Sequence, residues 1–332
     1  IGHRLRMTES TVRPTETLLL LALPASGKSE LRRYLASLSA DTVAADFGLG
    51  PTVQLDDYPY VHLMRRISEE MQDLGAAPTF FSSTQQPFLD SRDWGTLMHL
   101  LNEDYAALAS AEHPDPAGAA EWLIRRMDRA RDLVGLPPVL AGVDPATRQA
   151  LASSIEVDAR QLWTDLKSNL IQGREGATVV IEFARGGPEG TTPPIPPPHG
   201  YHYSLGCLSA EILETASILY VWVTPEESRR RNVERAKPGR DGDASILHHG
   251  VPETVMRRDY GTDDLLWLVD RSNRPGAIRV STDDGVFHLP VAVFDNRTDK
   301  TSFLRADPAA WPEDSVAELH DDLRAAFAQL NS

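Results

Sequence analysis

Residues 17–35 constrain the fold of this 332-residue chain more than any other stretch. Residues 17–23 read TLLLLAL, an uninterrupted apolar run of the length of one buried strand. A short turn, residues 24–27, separates this run from a segment whose apolar residues recur at helical spacing. The sequence therefore predicts a buried strand, a tight turn, and a helix whose N-terminus lies at the carboxyl end of the strand.

The turn has the residue types that phosphate binding requires. Residues 22–29 read ALPASGKS, in which Gly27 allows backbone N–H groups to approach phosphate oxygens closely. Lys28 can reach the outer phosphates of a nucleoside triphosphate, and the Ser29 hydroxyl can ligate magnesium. Ala22 stands where this pattern usually has its first glycine, which restricts the turn without removing a phosphate contact. The alternative, an ordinary Ser-Gly turn before a surface helix, is less consistent with the strand and helix on either side.

Further strands are predicted at residues 52–55, 178–183, 218–223 and 291–294. Buried strands that alternate with helices indicate an α/β fold, a mostly parallel sheet covered on both faces. Helical patterns alone occur between the second and third strands, and we interpret that region as a large insertion. We assign residues 1–16 to a tag remnant and leader, 17–59 and 174–332 to the core, 60–173 to the helical insertion and 225–262 to a lid.

With these features the sequence resembles the P-loop kinase superfamily, especially its nucleoside, nucleotide and metabolite kinases. The resemblance covers the sheet strands and the loops after them, and the insertion matches no named family. It implies a three-layer P-loop fold, ATP and Mg²⁺ as cofactors, and transfer of the γ-phosphoryl group to a hydroxyl or phosphate of a small molecule. The residues it places at the nucleotide are Pro24, Ala25, Ser26, Gly27, Lys28, Ser29, Glu30 and Asn296, and Lys28 is also a catalytic candidate.

Two adjacent aspartates follow the second predicted strand. The resemblance implies an acidic residue here that faces the acceptor hydroxyl, and Asp56 and Asp57 occupy this place. Because adjacent strand residues point to opposite sides, we expect one of them to enter the site. We assign Asp57 as general base or acceptor-positioning residue and Asp56 as a Mg²⁺ ligand, while the choice between them stays open. The alternative is that one aspartate caps the helix that begins near Pro59.

The third predicted strand ends in Glu182, Phe183, Ala184 and Arg185. This end resembles the acid-then-arginine element of deoxynucleoside kinases, although inserted residues change the spacing, so only the residue types carry over. The resemblance implies that Glu182 lies near the metal or its waters and that Arg185 binds the acceptor or a phosphate. A structural Glu–Arg pair at a strand end is the alternative.

Arginines are concentrated after the fourth predicted strand. Residues 224–227 read TPEE, a capping box with proline at the first helical position, and Arg231 and Arg235 share a face of the helix that follows. The resemblance implies a lid here whose arginines contact the transferring phosphoryl group, so both are catalytic candidates. The alternative is a solvated helix with ordinary i,i+4 pairs such as Glu227 with Arg231.

The insertion leaves the core directly after Asp57, which tethers its first helix beside the acceptor position. We therefore expect Tyr58, Tyr60, His62 and Arg65 to contact the acceptor first, with Arg92 and Trp94 behind them. The acceptor's identity stays open. The choice between ATP and GTP also stays open, because residues 296–299 read NRTD and are similar to a guanine-reading element with arginine in place of lysine.

A formal net charge of −15 argues against a polymeric nucleic-acid partner, since phosphate-rich polymers are repelled except by a local basic patch. No apolar run is long enough for a membrane span, and a single cysteine, Cys207, fits a reducing cytoplasm. We thus expect a cytoplasmic kinase with a small-molecule acceptor. Two alternatives stay open: a zeta-toxin-like kinase of a sugar nucleotide, and an ATP- or GTP-dependent switch whose insertion binds a partner.

Overall fold

The computed structural model describes residues 15–110, 113–235 and 250–330. In these residues six strands form one sheet: β1 (Thr17–Leu21), β2 (Thr52–Asp56), β3 (Thr178–Phe183), β4 (Ala216–Trp222), β5 (Ala277–Thr282) and β6 (Gly285–Asp295). Their order is β2-β3-β1-β4-β6-β5, with every pair parallel except β5 and β6. The predicted α/β class with a mostly parallel sheet is confirmed.

The helices cover this sheet and form the insertion. None of those in the described ranges combines the length and apolar character that a bilayer span requires. The α-helices of the described residues are α1 (Lys28–Ser37), α2 (Ala40–Phe47), α3 (Tyr58–Asp73), α4 (Asp93–Ala107), α5 (Ala119–Leu133), α6 (Pro145–Gln172), α7 (Gly200–Gly206), α8 (Ala210–Thr215), α9 (Pro225–Arg235), α10 (Glu253–Asp259), α11 (Leu265–Arg271) and α12 (Glu313–Leu330).

The central strand β1 is buried on both faces, as its uninterrupted leucines predict. Successive side chains alternate across a sheet, so Leu18 and Leu20 pack on one face against α1, α2 and α12. Leu19 and Leu21 pack on the other face, against α4, α7, α8 and α11. The two apolar layers fix the strand in register and direct the chain after Leu21 to the carboxyl edge of the sheet.

The described residues between β2 and β3 form α3 to α6, with only an isolated bridge between Phe81 and Phe88 outside helices. These helices share a third apolar core with α10. A buried ion pair joins α5 to α4, in which Arg131 lies 2.8 Å from Asp93. The insertion is thus a helical layer over the carboxyl ends of β1 and β3.

The antiparallel hairpin of β5 and β6 was not predicted. The predicted strand at residues 291–294 is only the second half of β6. In β5, exposed Arg279 and Ser281 alternate with buried Ile278 and Val280, as expected for the edge strand of a sheet with one solvated face. Such a short alternating segment carries a weak apolar signal.

Of the predicted lid, residues 236–249 lie outside the described residues.

Candidate functional site

The loop between β1 and α1 is a compact turn that depends on glycine. Gly27 has a φ of 103°, in the left-handed region that disfavours residues with a Cβ. A Cβ there would lie 2.4 Å from the Thr301 Oγ1 and 2.7 Å from the Asn296 Nδ2, so the loop could not close against these side chains. Ala25 also has a positive φ, 56°, which costs about 1–3 kcal/mol. Surrounding contacts must therefore hold the loop in this conformation.

Hydrogen bonds engage carbonyl groups of this loop, whereas its N–H groups have no acceptor among the residues that the structure describes. The Leu23 carbonyl accepts from the Ser26 Oγ at 2.6 Å, and the Pro24 carbonyl accepts from the Ser228 Oγ at 2.6 Å. The Ser26 carbonyl accepts from the Asn296 Nδ2 at 2.7 Å. The N–H groups of residues 25–29 donate to no acceptor in the described part of the chain. These adjacent donors lie at the positive end of the α1 dipole and suit an anion.

Lys28 and Arg32 flank a buried carboxylate at the end of β3. The Lys28 Nζ donates to the Phe183 carbonyl at 3.3 Å and lies 3.5 Å from the Glu182 Oε1. The Arg32 guanidinium lies 3.0 Å from the Glu182 Oε2. Glu182 is only 7% exposed, yet its Oε2 accepts no well-aligned hydrogen bond in the described structure. One carboxylate oxygen thus retains capacity to bind a ligand or a metal.

The two aspartates at the end of β2 have different partners. The Asp57 Oδ2 accepts from Arg185 at 2.6 Å in a buried ion pair. The Asp56 Oδ1 accepts from the N–H of Tyr58 at 2.8 Å, and so holds the first turn of α3. Burial, followed by the charges of Glu182 and Asp57, raises the pKa of Asp56 to about 7. The capping alternative therefore applies to Asp56, whereas Asp57 forms the ion pair.

A cavity of about 660 Å³ joins this cluster to the insertion, which is within the range of small-molecule sites. The β1–α1 loop and the ends of β2 and β3 form one part, which we call the donor half. Side chains of α3, of residues 81–94 and of α10 form the other part, the acceptor half. The predicted residues that line the cavity are Pro24, Ala25, Ser26, Gly27, Lys28, Ser29, Asp56, Asp57, Tyr58, His62, Arg65, Trp94, Glu182 and Arg235.

Two residues that were predicted to contact the acceptor, Tyr60 and Arg185, do not line the cavity. Tyr60 is 1% exposed and lies in the insertion core, where its hydroxyl donates to Asp104 at 2.7 Å and accepts from Arg126 at 2.7 Å. Arg185 is 2% exposed and lies behind Asp57. We therefore withdraw Tyr60 as an acceptor contact and reassign Arg185 as a residue that positions Asp57. Arg92, which was expected behind the first acceptor contacts, pairs with Asp90 at the surface at 2.7 Å.

Asn296 and Arg231 support the β1–α1 loop and do not line the cavity. Asn296 is fully buried and donates to the Ser26 carbonyl and, at 2.9 Å, to the Thr301 Oγ1. Arg231 is 2% exposed and donates at 2.6 Å both to Glu227 and to the Asn296 carbonyl. Because these bonds engage both side chains inside the protein, we withdraw Asn296 as a base contact and Arg231 as a lid arginine. The alternative i,i+4 pair with Glu227 is present.

Glu30 and Arg235, from α1 and α9, differ in their access to the cavity. Glu30 is 6% exposed, and its Oε1 accepts from Arg305 at 2.7 Å beneath the loop. It does not line the cavity, so we withdraw it as a nucleotide contact. Arg235 is the last residue of α9, lines the cavity and lies 3.9 Å from Glu30. It is therefore the predicted lid arginine that reaches the site.

Several cavity residues were not identified from the sequence. Arg32 could have been found, because it follows Lys28 by four residues and so shares its helix face. Others come from α3, from the loop before α4 and from the segment around α10, and tertiary packing that no local periodicity encodes brings the last two groups to the site. They include Val61, Arg66, Glu69, Phe81, Phe88, Val255, Asp259 and Tyr260.

Three predicted metal ligands, Ser29, Asp56 and Glu182, all line the donor half. Within the described ranges, no group of three or more His, Cys, Asp and Glu side chains could hold a metal ion by itself. Mg²⁺ in nucleotide sites usually binds one or two carboxylates, together with phosphate oxygens and waters. The three residues fit a magnesium site that a nucleotide completes, in which the Glu182 Oε2 would exchange its contact with Arg32 for the metal.

Comparison with known proteins gives no match at a significant level to any family model, curated protein or solved structure. Function is therefore inferred from the geometry of the site itself.

Proposed function

We propose that this protein is a P-loop kinase that transfers the γ-phosphoryl group of ATP to a hydroxyl group of a small molecule. One observation carries the proposal: the N–H groups of residues 25–29 have no acceptor in the described chain, while the carbonyl groups of Leu23, Pro24 and Ser26 are engaged. Backbone donors in a tight loop are normally satisfied. A row of free donors before Lys28, at a helix N-terminus, is suited to the phosphates of a nucleotide.

The donor half supports binding of the nucleotide with magnesium. Lys28 would exchange its contact with Glu182 for the outer phosphates, and Ser29, Asp56 and Glu182 would hold Mg²⁺. When bound, Mg²⁺ neutralises charge that develops on the phosphates during transfer.

The acceptor step is assigned to Asp57. Its carboxylate lines the cavity and would orient the acceptor hydroxyl and receive its proton as the oxygen attacks the γ-phosphorus. The bond from that phosphorus to the β–γ bridging oxygen breaks, and ADP leaves. Arg185 holds Asp57 in position at 2.6 Å, and Arg235 would offset negative charge in the transition state.

ATP is preferred to GTP as the donor because the segment similar to a guanine-reading element is engaged in other contacts. Asn296 is bonded to the β1–α1 loop, and Arg297 lies 3.9 Å from the Trp222 ring centroid and pairs with Asp295 at 2.8 Å. A switch protein would also require nucleotide binding. A cavity that extends from the loop deep into the insertion favours an enzyme with a second substrate.

Binding and turnover measured on one preparation test the proposal. MgATP should raise the melting temperature, with a stabilisation of about 2.7 kcal/mol at a concentration 100 times the Kd. ADP should then be released at a rate that depends on an added acceptor. Tight binding without acceptor-dependent release would favour the switch, and failure of both ATP and GTP to bind would refute nucleotide-dependent function.

A further inference from the structure

Four aromatic rings form a continuous strip along the acceptor half of the cavity. The ring centroids of Phe81 and Phe88 are 4.4 Å apart, those of Phe88 and Trp94 are 4.9 Å apart, and those of Trp94 and Tyr260 are 5.9 Å apart. Each ring is less than a tenth exposed, and all four residues line the cavity. We call these four residues the aromatic strip. The parts of these side chains that face the cavity offer an apolar surface to a flat ligand.

The aromatic strip ends beside the assigned base. The Arg185 guanidinium lies 4.7 Å from the Trp94 ring centroid and donates to Asp57 at 2.6 Å. Tyr260 interacts electrostatically with both Arg185 and Asp57. A flat molecule seated on the strip would therefore present one edge to the Asp57 carboxylate. Val61 and Val255 extend the apolar lining.

The cations of the acceptor half already have partners. Arg66 lies 2.7 Å from Glu70 and 3.4 Å from Asp158. Arg65 lies 4.0 Å from the Phe81 ring centroid and donates to the Thr84 carbonyl at 2.8 Å. A phosphate group on the ligand would therefore have to displace the carboxylates that pair with Arg66, or the ring and carbonyl contacts of Arg65, before it could pair with either arginine.

Carboxylates line the same half of the cavity. Glu69 of α3 and Asp259 of α10 both contribute to it. Asp259 is 3% exposed, and its Oδ2 has no hydrogen-bond partner in the described structure. A buried carboxylate oxygen without a donor is costly, and a ligand hydroxyl or amine would offset that cost. An anionic ligand would instead be repelled by these two carboxylates, whereas the charge of Asp57 is already paired with Arg185.

We infer that the acceptor is a hydroxyl compound with a flat apolar ring and no phosphate group, seated on the aromatic strip with its hydroxyl at Asp57. This inference rests on the proposed kinase function and specifies its substrate class. The acceptor oxygen forms a bond to the γ-phosphorus, the bond to the β–γ bridging oxygen breaks, and the proton passes to Asp57. We therefore expect neither a sugar nucleotide nor a nucleoside monophosphate to serve as the acceptor.

Saturation-transfer NMR on the full chain with Mg²⁺ and a non-hydrolysable ATP analogue tests the ligand class. Matched probes separate the ring from the phosphate: 3-phenylpropane-1,2-diol against glycerol, and thymidine against thymidine monophosphate. We expect saturation of ring protons in phenylpropanediol and thymidine, and negligible transfer to glycerol or the monophosphate. Preference for glycerol or for the monophosphate would overturn the inference.

Two substitutions test the strip and the charge of the cavity separately. Phe88→Ala should weaken binding of phenylpropanediol by about tenfold, the upper range for loss of an aromatic contact, whereas Phe287→Ala, outside the cavity, should not. Glu69→Lys keeps the strip and should strengthen binding of thymidine monophosphate by about tenfold. Asp73→Lys makes the same charge change on the exposed end of α3 and should leave binding unchanged.

These measurements distinguish an error in the proposed kinase function from an error in the inferred class of acceptor. If the ATP analogue does not bind, the proposed kinase function fails. If it binds and Glu69→Lys has no more effect than Asp73→Lys, the substrate class alone is wrong. Because Glu69→Lys changes a partly exposed side chain, this comparison holds even where Phe88→Ala unfolds the protein.

Discussion

The carboxylates of Asp56 and Asp57 differ in what they touch, although the residues are adjacent. Asp57 accepts a hydrogen bond from buried Arg185, which fixes the orientation of its carboxylate. Asp56 has a backbone N–H as hydrogen-bond donor and lies close to the charge of Glu182, which together with burial raises its pKa. A carboxylate held in one orientation beside the cavity is suited to receive a proton from an acceptor hydroxyl, so Asp57 is the better candidate for the base.

Substitution by asparagine should separate the two aspartates. Asp57→Asn should lower kcat by roughly 10²–10⁴-fold with little change in nucleotide affinity, because it removes the proton acceptor. It should also lower stability by about 1–3 kcal/mol, since Arg185 loses a charged partner. Steady-state kinetics and thermal unfolding of Asp57→Asn and Asp56→Asn measure both effects. A larger loss of kcat in Asp56→Asn would reverse the assignment.

The raised pKa of Asp56 also predicts a pH dependence of stability. The native state, with a pKa of about 7 against an ordinary value of 3.8, binds more protons than the unfolded state between these pH values. The free energy of unfolding that this group contributes should therefore fall as pH rises from about 4 to about 7. Asp56→Asn should flatten the melting temperature across this window and stabilise the protein at pH 8. An unchanged pH profile in that variant would contradict the pKa assignment.

Residues 22–29, the β1–α1 loop that we call the cradle, are held in shape by two other elements, α9 and the loop after β6. Ser228 and Arg231 of α9 bond to the Pro24 carbonyl and to the Asn296 carbonyl. Asn296 then bonds to the Ser26 carbonyl from the opposite side. These contacts orient the loop carbonyls away from the cavity, so the N–H groups of the same loop remain for a ligand.

Loss of this support should weaken both the fold and nucleotide binding. Asn296→Ala leaves the buried Ser26 carbonyl without a donor and should cost about 1–3 kcal/mol of stability. Nucleotide affinity should fall with it, because the loop is no longer held. Asn273→Ala removes an exposed amide bonded to His288 and serves as the matched control in denaturant unfolding and nucleotide titration. Equal effects of the two substitutions would show that Asn296 does not support the loop.

At the scale of the whole molecule, local sequence signals predicted the donor half of the site and missed much of the acceptor half. The mostly apolar run of β3 gave its bounds at residues 178–183, because a strand buried on both faces carries few polar residues. The β1–α1 loop was predicted because the strand, the turn and the helix follow one another directly in the sequence. Phe81, Phe88 and Tyr260 come together only through packing of the insertion against α10. Contacts between residues that are far apart in the sequence leave no periodic pattern of apolar residues in it.

Binding of radiolabelled MgATP to the wild type, to Lys28→Ala and to Lys167→Ala tests the central claim most directly. Lys28 adjoins the free N–H groups of the cradle, whereas Lys167 pairs with Asp115 on the surface of α6. We expect Lys28→Ala to lose measurable phosphoryl transfer and most of its affinity for MgATP while it melts near the wild-type temperature. Lys167→Ala should behave as the wild type in all three measurements. Wild-type binding and transfer by a folded Lys28→Ala protein would contradict the assignment of this loop as a nucleotide cradle.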